Sequence, residues 1–432
     1  MCSKRNLLFI LHLTITALPT RTCSLTVTTF NMLAPVHRSM PSNARNGNQN
    51  KDTPKPRESE REEWWVPRAE KLASFISQNL LSSDIILLQE WWFDPTFESL
   101  FDSVNGHSYI RVAERRPGEG RQDGMAVLIK KTGRLEFVNS CSVITGPQRI
   151  GQVVTCREKI ETSRNNKDSN GQNRGKLEDI GREVRIANVH LSFPKSDDDN
   201  INAQRQTREL ELVAQAMISS SPLPDTNSEK RLEIIGGDFN SNSQTLPCQT
   251  LERNPYNFVN CASALSEQSF MNGTGCGRVQ LGATHRTHLG ENVSVDHLFV
   301  RTVDINSAST SGKIDMRHED SNKSTTKISS GNEDGNGNKS MTGYQNKIDC
   351  LATRLGYLDA IGTRIEYCQP IELEIDLSLN DDFNRRELDG ENEGTKMVIS
   401  DHKPVTCRLE WPRSQQRIPF LYENDNATKY EW

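Results

Sequence analysis

The sequence lacks several features that would assign a protein of this size to a class at once. Its ten cysteines include no Cys-x-x-Cys pair, which argues against a zinc ribbon or a thioredoxin-like redox site. It also has no internal repeat, which argues against a solenoid. Positive charge is not in excess, since 52 Lys and Arg are outweighed by 57 Asp and Glu and the net charge is −5. The chain therefore cannot coat nucleic acid by overall neutralisation of phosphates, and a phosphate-bearing substrate has to be held at a local site.

Long hydrophobic runs are also scarce. One apolar run, Leu7 to Leu18, follows Lys4 and Arg5 near the start of the chain. This order is typical of a secretory signal, and the run is too short for a transmembrane span. An organelle-targeting sequence is the alternative, because no A-x-A cleavage site follows and no acidic residue precedes Asp52. The sequence predicts a targeting segment at 1–23 and a protein that is secreted or enters an organelle or the endomembrane system. No transmembrane span is expected.

Hydrophobic residues make up only 34% of the chain, which is low for a globular protein. The polar excess is concentrated in stretches rich in Asn, Ser, Gly, Asp and Lys, which contain too few apolar residues to offset the entropy of ordering. We expect one domain at 24–411, interrupted by polar surface insertions at 40–62, 161–183, 306–349 and 379–396 and followed by a flexible tail at 412–432. The remaining length is enough for one substantial core.

Short β-rich runs recur along this domain, and two helical patterns lie between them. The predicted strands are 24–31, 84–90, 124–131, 183–191, 231–240, 294–301 and 404–411. The apolar residues Trp65, Leu72 and Ile76 recur at helical spacing, as do Leu210, Val213 and Met217. Strands mixed with helices over one core of this size predict an α/β or α+β layered domain.

Most of these strands end in, or begin with, a side chain that suits an oxygen-binding metal or a phosphate. The set is Asn31, Glu90, His190, Asp238, Asn240, Asp296, Asp401 and His402. Mg²⁺ takes few protein carboxylates and completes its shell with water and substrate oxygens. Taken singly, each residue has an ordinary alternative as a helix cap, a turn residue or a buried structural histidine. Their recurrence at successive strand ends favours one shared site.

The motifs that carry these residues resemble the endonuclease/exonuclease/phosphatase superfamily, in family order. They are TFNMLA (29–34), DIILLQE (84–90), DGMAVLIKK (123–131), ANVHLSF (187–193), IIGGDFNS (234–241), SVDHLFV (294–300) and ISDHKPV (399–405). The start and the DGMA strand resemble the deadenylase and nocturnin-like branch, and ATHRTHLGENVSVDHLF (283–299) resembles a plant and algal group of uncharacterised relatives. The resemblance implies a four-layer sandwich, in which two mainly antiparallel β-sheets lie face to face and are flanked by helices.

The same resemblance implies a role for each residue. Glu90 would be the principal ligand of Mg²⁺, or of Mn²⁺ as a substitute, with Asn31 and Asp401 beside the metal. Asp238 would position or deprotonate the attacking water, and Asn240 would orient it. His402, held by Asp296, and His190 would contact the scissile phosphate. The implied activity is metal-assisted hydrolysis of a phosphodiester.

The substrate class is open between three alternatives. We expect a nucleic acid or a nucleotide, with Trp92 as a base-stacking surface and Lys130, Lys131 and Arg286 as a local basic rim. QEWW followed by PTF also resembles neutral sphingomyelinases, which makes a phospholipid phosphodiesterase the competing enzyme. Such an enzyme needs an exposed apolar loop, and the sequence offers only Trp91, Trp92 and Phe93 near the site. The third alternative is a binding protein that kept the fold and lost catalysis.

Overall fold

The computed structural model describes residues 22–40, 55–159, 181–196, 198–220, 230–264, 283–286, 291–304, 364–370 and 400–412. The targeting segment, apart from its last two residues, lies outside the described residues. So do the insertions at 306–349 and 379–396 and nearly all of the insertion at 161–183 and of the tail.

The described part of the chain forms fourteen strands. These are β1 Thr22–Asn31, β2 Ile85–Trp92, β3 Tyr109–Arg115, β4 Asp123–Lys130, β5 Leu135–Gly146, β6 Arg149–Glu158, β7 Glu183–His190, β8 Lys230–Asp238, β9 Val259–Asn260, β10 His285–Arg286, β11 Asn292–Val293, β12 Asp296–Asp304, β13 Arg364–Pro370 and β14 Val405–Pro412. Twelve of them build two six-stranded sheets, and β10 pairs with β11 in a short ribbon.

Each six-stranded sheet is antiparallel except for one parallel pair. The first sheet has the order β13-β14-β1-β2-β4-β3, in which β1 and β2 are parallel. The second has the order β5-β6-β7-β8-β12-β9, in which β7 and β8 are parallel. The carboxyl ends of a parallel pair lie at the same edge of a sheet, so each sheet presents two adjacent strand ends there.

The helices in the described residues are α1 Glu62–Asn79, α2 Pro95–Asn105, α3 Asp199–Ser219 and α4 Leu246–Glu252. Local sequence fixes where two of them begin. The Asp94 side chain accepts hydrogen bonds from the backbone of Thr96 and Phe97 ahead of α2, and Asp198 caps α3 in the same way. Asp is among the preferred residues at this position because its carboxylate satisfies the unpaired N–H groups of the first turn.

Three apolar clusters separate four layers. The central cluster lies between the sheets and includes Val27 and Leu87 of the first sheet and Ile186 and Ile234 of the second. On its outer face the first sheet packs against α1 and α2, and the second packs against α3 and α4. The predicted four-layer sandwich of two mainly antiparallel sheets flanked by helices is confirmed.

All seven predicted strands and both predicted helices are present, with ends that differ by a few residues. Strands β3, β5, β6 and β13, the short strands β9 to β11, and helices α2 and α4 were not predicted. The missed strand β5 is half exposed along most of its length, so its sequence carries weaker apolar alternation than the buried strands.

The last part of the insertion predicted at 40–62 differs from a solvated loop. Residues 58–60 form a 3-10 helix, and Glu58 is fully buried. Its carboxylate accepts hydrogen bonds from Nε of Arg68, both at 3.0 Å, and from Nη2 at 2.7 Å. Arg68 in turn donates to the backbone oxygens of Met32 and Leu33. This part of the segment braces the chain immediately after β1.

Candidate active site

The carboxyl ends of the two parallel strand pairs meet at one edge between the sheets. Asn31 ends β1 and Asp238 ends β8, and Asn31 Nδ2 donates to Asp238 Oδ2 at 2.9 Å. The same amide nitrogen lies 3.3 Å from Glu90 Oε1 on β2. Asn31 therefore joins a carboxylate of each sheet, and this contact fixes how the two sheets face one another at the edge.

Glu90 has an unusual backbone conformation for a strand residue. Its φ is 56°, and the pairing of β2 with β4 is irregular between Gln89 and Trp91. A β-bulge of this kind interrupts the alternation of a strand and redirects a side chain. A positive φ at a non-glycine residue costs about 1–3 kcal/mol and is concentrated at functional sites. The Ala34 N–H donates to Glu90 Oε2 at 3.0 Å, which holds the carboxylate in place.

Asp238 is buried and fully engaged by neighbours. Its Oδ1 accepts the Asn240 N–H at 2.8 Å, and Asn240 also has a positive φ, of 49°. The Asn240 side chain donates to the Leu191 carbonyl at 2.9 Å, which ties the loop after β8 to the end of β7. Burial raises the pKa of Asp238 above its ordinary value, and the nearby Asp296 carboxylate adds to this, while His402 opposes it.

His402 lies three residues before the start of β14 and faces the same edge. Its Nδ1 is 2.9 Å from Asp296 Oδ2, and its Nε2 is 3.8 Å from Asp238 Oδ2. Ser400 Oγ accepts the His402 N–H and donates to the Asn31 carbonyl. Burial alone would lower the pKa of His402, but the surrounding carboxylates of Asp296 and Asp238 raise it well above its usual value. The ring is therefore held in its protonated form near neutral pH.

His190, at the end of β7, is in the opposite state. Its Nε2 lies 3.5 Å from Asp238 Oδ2 and 4.0 Å from Glu90 Oε1, and its Nδ1 lies 2.7 Å from Arg116 Nη2. A guanidinium only donates, so Nδ1 accepts and the ring proton sits on Nε2. Burial and the charge of Arg116 lower the pKa of His190 well below its usual value. It is a neutral imidazole whose N–H is on the side of the two carboxylates.

Arg116 is itself anchored by a buried carboxylate. Its Nη1 lies 3.1 Å from Asp123 Oδ2 at the start of β4, and His37 Nε2 is 3.0 Å from the same oxygen. Burial would raise the pKa of Asp123, but the hydrogen bond from His37 and the charge of Arg116 lower it, so Asp123 is an anion. Neither Arg116 nor Asp123 was among the predicted site residues.

A second arginine near His190 has no partner among the residues that the structure describes. Arg149 begins β6, and its Nη1 is buried without a hydrogen bond. Burial and the nearby Arg116 lower its pKa to about 10, and Glu90 is among the charges that act on it in the opposite sense. Because Arg116 is paired with Asp123, Arg149 is the guanidinium of the two that has no ion pair in the described residues. Neither arginine was predicted from the sequence, because each lies in a polar stretch outside the predicted strands.

The predicted basic rim at Lys130 and Lys131 is wrong. β4 runs antiparallel to β2, so the end of β4 lies beside the start of β2, at the edge opposite Glu90. Lys130 Nζ donates to the Leu81 carbonyl at 2.7 Å, and Lys131 Nζ contacts the Gly106 carbonyl. Both lysines hold loops at that far edge. The side chain of Arg286, the third predicted rim residue, lies outside the described part of the structure.

The predicted stacking surface at Trp92 is also wrong. Trp92 is 3% exposed and Trp91 is fully buried, because α1 and α2 cover this face of the first sheet. The Trp92 ring packs edge-on against Trp65 with 4.9 Å between centroids. Exposed apolar side chains do occur elsewhere: Phe193, three residues after His190, is 55% exposed, and Ile144 is 69% exposed. Phe193 is thus an exposed aromatic that follows a site residue closely in the sequence.

Oxygen atoms dominate the groups that could hold a hard cation. Glu90 offers a carboxylate whose side chain is 12% exposed, and Asp401 has a buried Oδ1 that lacks a hydrogen bond in the described residues. This donor set fits Mg²⁺ or Mn²⁺. Asn31, predicted as a third ligand, uses its amide nitrogen to hold Glu90 and Asp238, and its Oδ1 accepts the Leu33 N–H at 3.0 Å.

The four-layer sandwich, with a cluster of polar side chains at one edge between the sheets, defines the fold class. Comparison with known proteins agrees with this fold class. No protein-family model matches the sequence, and no curated protein matches it. Among solved structures, ANGEL2, titled a 2′,3′-cyclic phosphatase in complex with adenosine-2′,3′-vanadate, has a TM-score of 0.50 at 12% identity, covering 91% of this chain and 97% of its own. The fold expected from the resemblance to the endonuclease/exonuclease/phosphatase superfamily is confirmed.

Two further structures are similar over comparable lengths. The human Nocturnin catalytic domain with bound sulfate has 14% identity and a TM-score of 0.46, covering 90% of this chain and 93% of that one. An endonuclease/exonuclease/phosphatase from Bacteroides vulgatus has 12% identity and a TM-score of 0.46, covering 90% of this chain and 99% of that one.

In the described part of this chain, no helix has both the length and the apolar character needed to cross a bilayer.

Proposed function

We propose that the protein is a divalent-metal-dependent phosphodiester hydrolase that acts on nucleic acids or nucleotides. The observation that carries the proposal is the meeting of four groups at one edge of the sandwich. These are a buried carboxylate at Asp238, a protonated imidazole at His402, a neutral imidazole at His190 and a redirected carboxylate at Glu90. Hydrolysis of a phosphodiester needs a base for water, donors for the developing charge and a Lewis acid, and the first two are present as side chains.

Glu90 and Asp401 would hold the metal ion, since they supply hard carboxylate oxygens at the edge. When bound, Mg²⁺ supplies Lewis-acid chemistry by neutralising charge on the non-bridging phosphate oxygens. The positive φ of Glu90 and the hydrogen bond from Ala34 fix the carboxylate before an ion binds. This preorganisation limits the reorganisation needed on binding.

Asp238 is placed to bind the attacking water and to take its proton. Its two oxygens already accept hydrogen bonds from Asn240 and Asn31, which fix the direction of the remaining lone pairs. Its raised pKa brings the carboxylate closer to the pH at which a general base is most effective. Asn240 holds both Asp238 and the Leu191 carbonyl, and so keeps the base in position.

The two histidines would contact the phosphate in different ways. His402, protonated and held through Nδ1 by Asp296, offers Nε2–H as a charged donor to a phosphate oxygen. His190 offers Nε2–H as a neutral donor because Arg116 occupies its other nitrogen. Charge-assisted donors form the stronger hydrogen bonds. We therefore propose that His402 stabilises the negative charge that develops on the phosphate in the transition state.

The guanidinium of Arg149, unpaired in the described residues, supports a substrate with more than one negative charge. Arg149 is a largely buried guanidinium without a partner in the described residues, and Arg116 is beside it. An anionic group next to the scissile phosphate would compensate this charge. Polynucleotides and nucleotides can supply such a group. A sphingomyelin head group instead carries a cationic choline, which the charge of Arg149 would repel.

The test is turnover by the full chain with Mg²⁺, Mn²⁺ or excess chelator on RNA, DNA, nucleotides and sphingomyelin vesicles. We expect metal-dependent cleavage of a nucleic acid or nucleotide and none of sphingomyelin. Arg149→Ala should weaken polynucleotide turnover and flatten its salt dependence, because a phosphate that the protein does not neutralise keeps its counterions on binding. The matched control is the Lys130→Ala, Lys131→Ala pair, which removes two charges at the far edge and should leave both properties unchanged.

Two outcomes would overturn the proposal. Hydrolysis of sphingomyelin vesicles without cleavage of any polynucleotide or nucleotide would establish the lipid phosphodiesterase. Tight binding of a substrate with no turnover in any metal would establish a binding protein on this fold. In that second case Asp238→Asn would leave the chain as it was, binding the substrate without turnover.

A further inference from the structure

We propose that His285, Asp401 and His402 form a binding site for a transition-metal ion such as Zn²⁺, which shares the Asp401 carboxylate with the hard-cation position proposed at Glu90. His285 lies in β10, the short strand that approaches the segment before β14 through a single bridge to His402. Asp401 and His402 are consecutive in that segment. The three side chains therefore meet where the β10–β11 ribbon covers the site.

The spacing of the donor atoms suits one ion. One donor atom from each of the three residues lies within 4.8 Å of the others. His285 Nδ1 is 3.7 Å from Asp401 Oδ2, and His402 Nε2 is 3.9 Å from Asp401 Oδ1. Ligand atoms about 2.1 Å from a tetrahedral zinc ion lie roughly 3.4 Å apart. The two distances end on different oxygens of the Asp401 carboxylate, so the side chains would have to move inward to bring one oxygen and both imidazoles onto one ion.

Two of the donor atoms are otherwise unsatisfied. His285 Nδ1 and Asp401 Oδ1 are both buried, and neither has a hydrogen-bond partner in the part of the chain that the structure describes. The distances from these atoms to the facing carboxylate oxygen and imidazole nitrogen are too long for hydrogen bonds. Buried polar atoms without a partner are uncommon in folded proteins, and a bound ion is one recognised explanation.

The surroundings orient the ligands. Asp296 accepts the Nδ1–H of His402, so Nε2 can bind the ion once it releases its own proton to solvent. A carboxylate behind a histidine is the usual support of a metal-bound imidazole. The His285 and His402 rings lie side by side, 4.3 Å apart between centroids at 34°. Two imidazoles and one carboxylate favour Zn²⁺, Co²⁺ or Mn²⁺, whereas Mg²⁺ prefers oxygen donors.

Such an ion would take His402 Nε2, the atom that the proposed mechanism directs at the phosphate. Zn²⁺ should therefore inhibit hydrolysis supported by Mg²⁺. This consequence rests on the proposed function, but the site itself does not. Binding and inhibition can be measured separately, so failure of one proposal is distinguishable from failure of the other.

The test is direct binding of Zn²⁺ to the full chain by calorimetry, with visible absorption of bound Co²⁺ as a second readout of the ligand set. We expect a site that His285→Ala weakens by at least tenfold, the scale on which loss of a metal-supporting residue acts. His285→Asn, which keeps a polar side chain, should weaken it as well. His107→Ala is the matched control, since His107 is an exposed histidine after α2 and should leave binding unchanged.

Circular dichroism of each variant establishes that the fold is intact. Wild-type chain that binds no Zn²⁺, or His285→Ala chain that binds it as tightly as wild type, would overturn the proposal. If hydrolysis is observed, residual activity of His285→Ala should be less sensitive to Zn²⁺ than that of the wild type, and equal sensitivity would contradict the assignment.

Discussion

His402 Nδ1 lies 2.9 Å from Asp296 Oδ2, although 106 positions separate the two residues in the chain. Asp296 begins β12 in the second sheet, and His402 precedes β14 in the first. The hydrogen bond therefore spans the sandwich at its functional edge. It orients the ring, fixes which nitrogen faces the site and raises the pKa of His402 against the effect of burial.

Replacement of Asp296 by Asn should lower kcat and move the alkaline limb of the pH profile to lower pH. His402 acts in its protonated form, so its contribution is present below its folded-state pKa and is lost as pH rises through it. Removing the carboxylate lowers that pKa. The measurement is the pH dependence of turnover for wild type and Asp296→Asn. An alkaline limb at the same pH in both would show that Asp296 does not act through His402.

Asp238 and His402 should behave as a unit. Asp238→Asn and His402→Ala should each lower turnover by orders of magnitude, and the double variant should lose far less than the product of the two effects. Asp238 acts as an anion with a raised pKa, so wild-type turnover should rise as pH increases through that value. Rates like wild type in either single variant would mean that these residues are structural.

Arg116 should act through His190 rather than on substrate alone. Arg116→Met removes the donor to His190 Nδ1 and frees the ring to change tautomer. We expect kcat to fall more than KM rises, together with a change in the ¹⁵N shifts of His190. Arg115→Met is the control, because the Arg115 guanidinium lies over the Phe93 ring. Unchanged His190 shifts in Arg116→Met would contradict the assigned tautomer.

Trp92 should matter for stability and not selectively for substrate binding. Trp92→Ala removes a core side chain that packs on Trp65, and such truncations typically cost about 3–5 kcal/mol. Phe193→Ala removes an exposed aromatic and should change stability by no more than about 0.5 kcal/mol. Urea denaturation measures both. Equal stability of Trp92→Ala and wild type would show that Trp92 is an exposed side chain and not part of the core.

The sequence predicted the polar residues that terminate buried strands, because a strand end is marked by a change from apolar to polar residues. It therefore located Asn31, Glu90, His190 and Asp238, which the structure brings to one edge. It could not locate Lys130 correctly. The position of Lys130 depends on the antiparallel pairing of β4 with β2, which reverses the edge to which a strand end belongs.

Residues outside the strand ends had no comparable signal. Arg116 follows β3, Arg149 begins a strand that was not predicted, and His285 lies in a two-residue strand. Their importance comes from tertiary contacts with His190 or His402, which no local pattern records. Trp92 was wrongly predicted to be exposed for a related reason. Periodicity showed that it flanks a strand, but it could not show that two helices cover this residue.

The most direct test of the central claim is the turnover of the cleaved substrate by wild type and Glu90→Gln, each with Mg²⁺ and with excess chelator. Glu90 is the carboxylate that the bulge in β2 and the Ala34 N–H aim at the edge of the site. We expect turnover only for wild type with Mg²⁺, and we expect the Glu90→Gln chain to be folded but less active by orders of magnitude. Full turnover in excess chelator, or by Glu90→Gln, would contradict it.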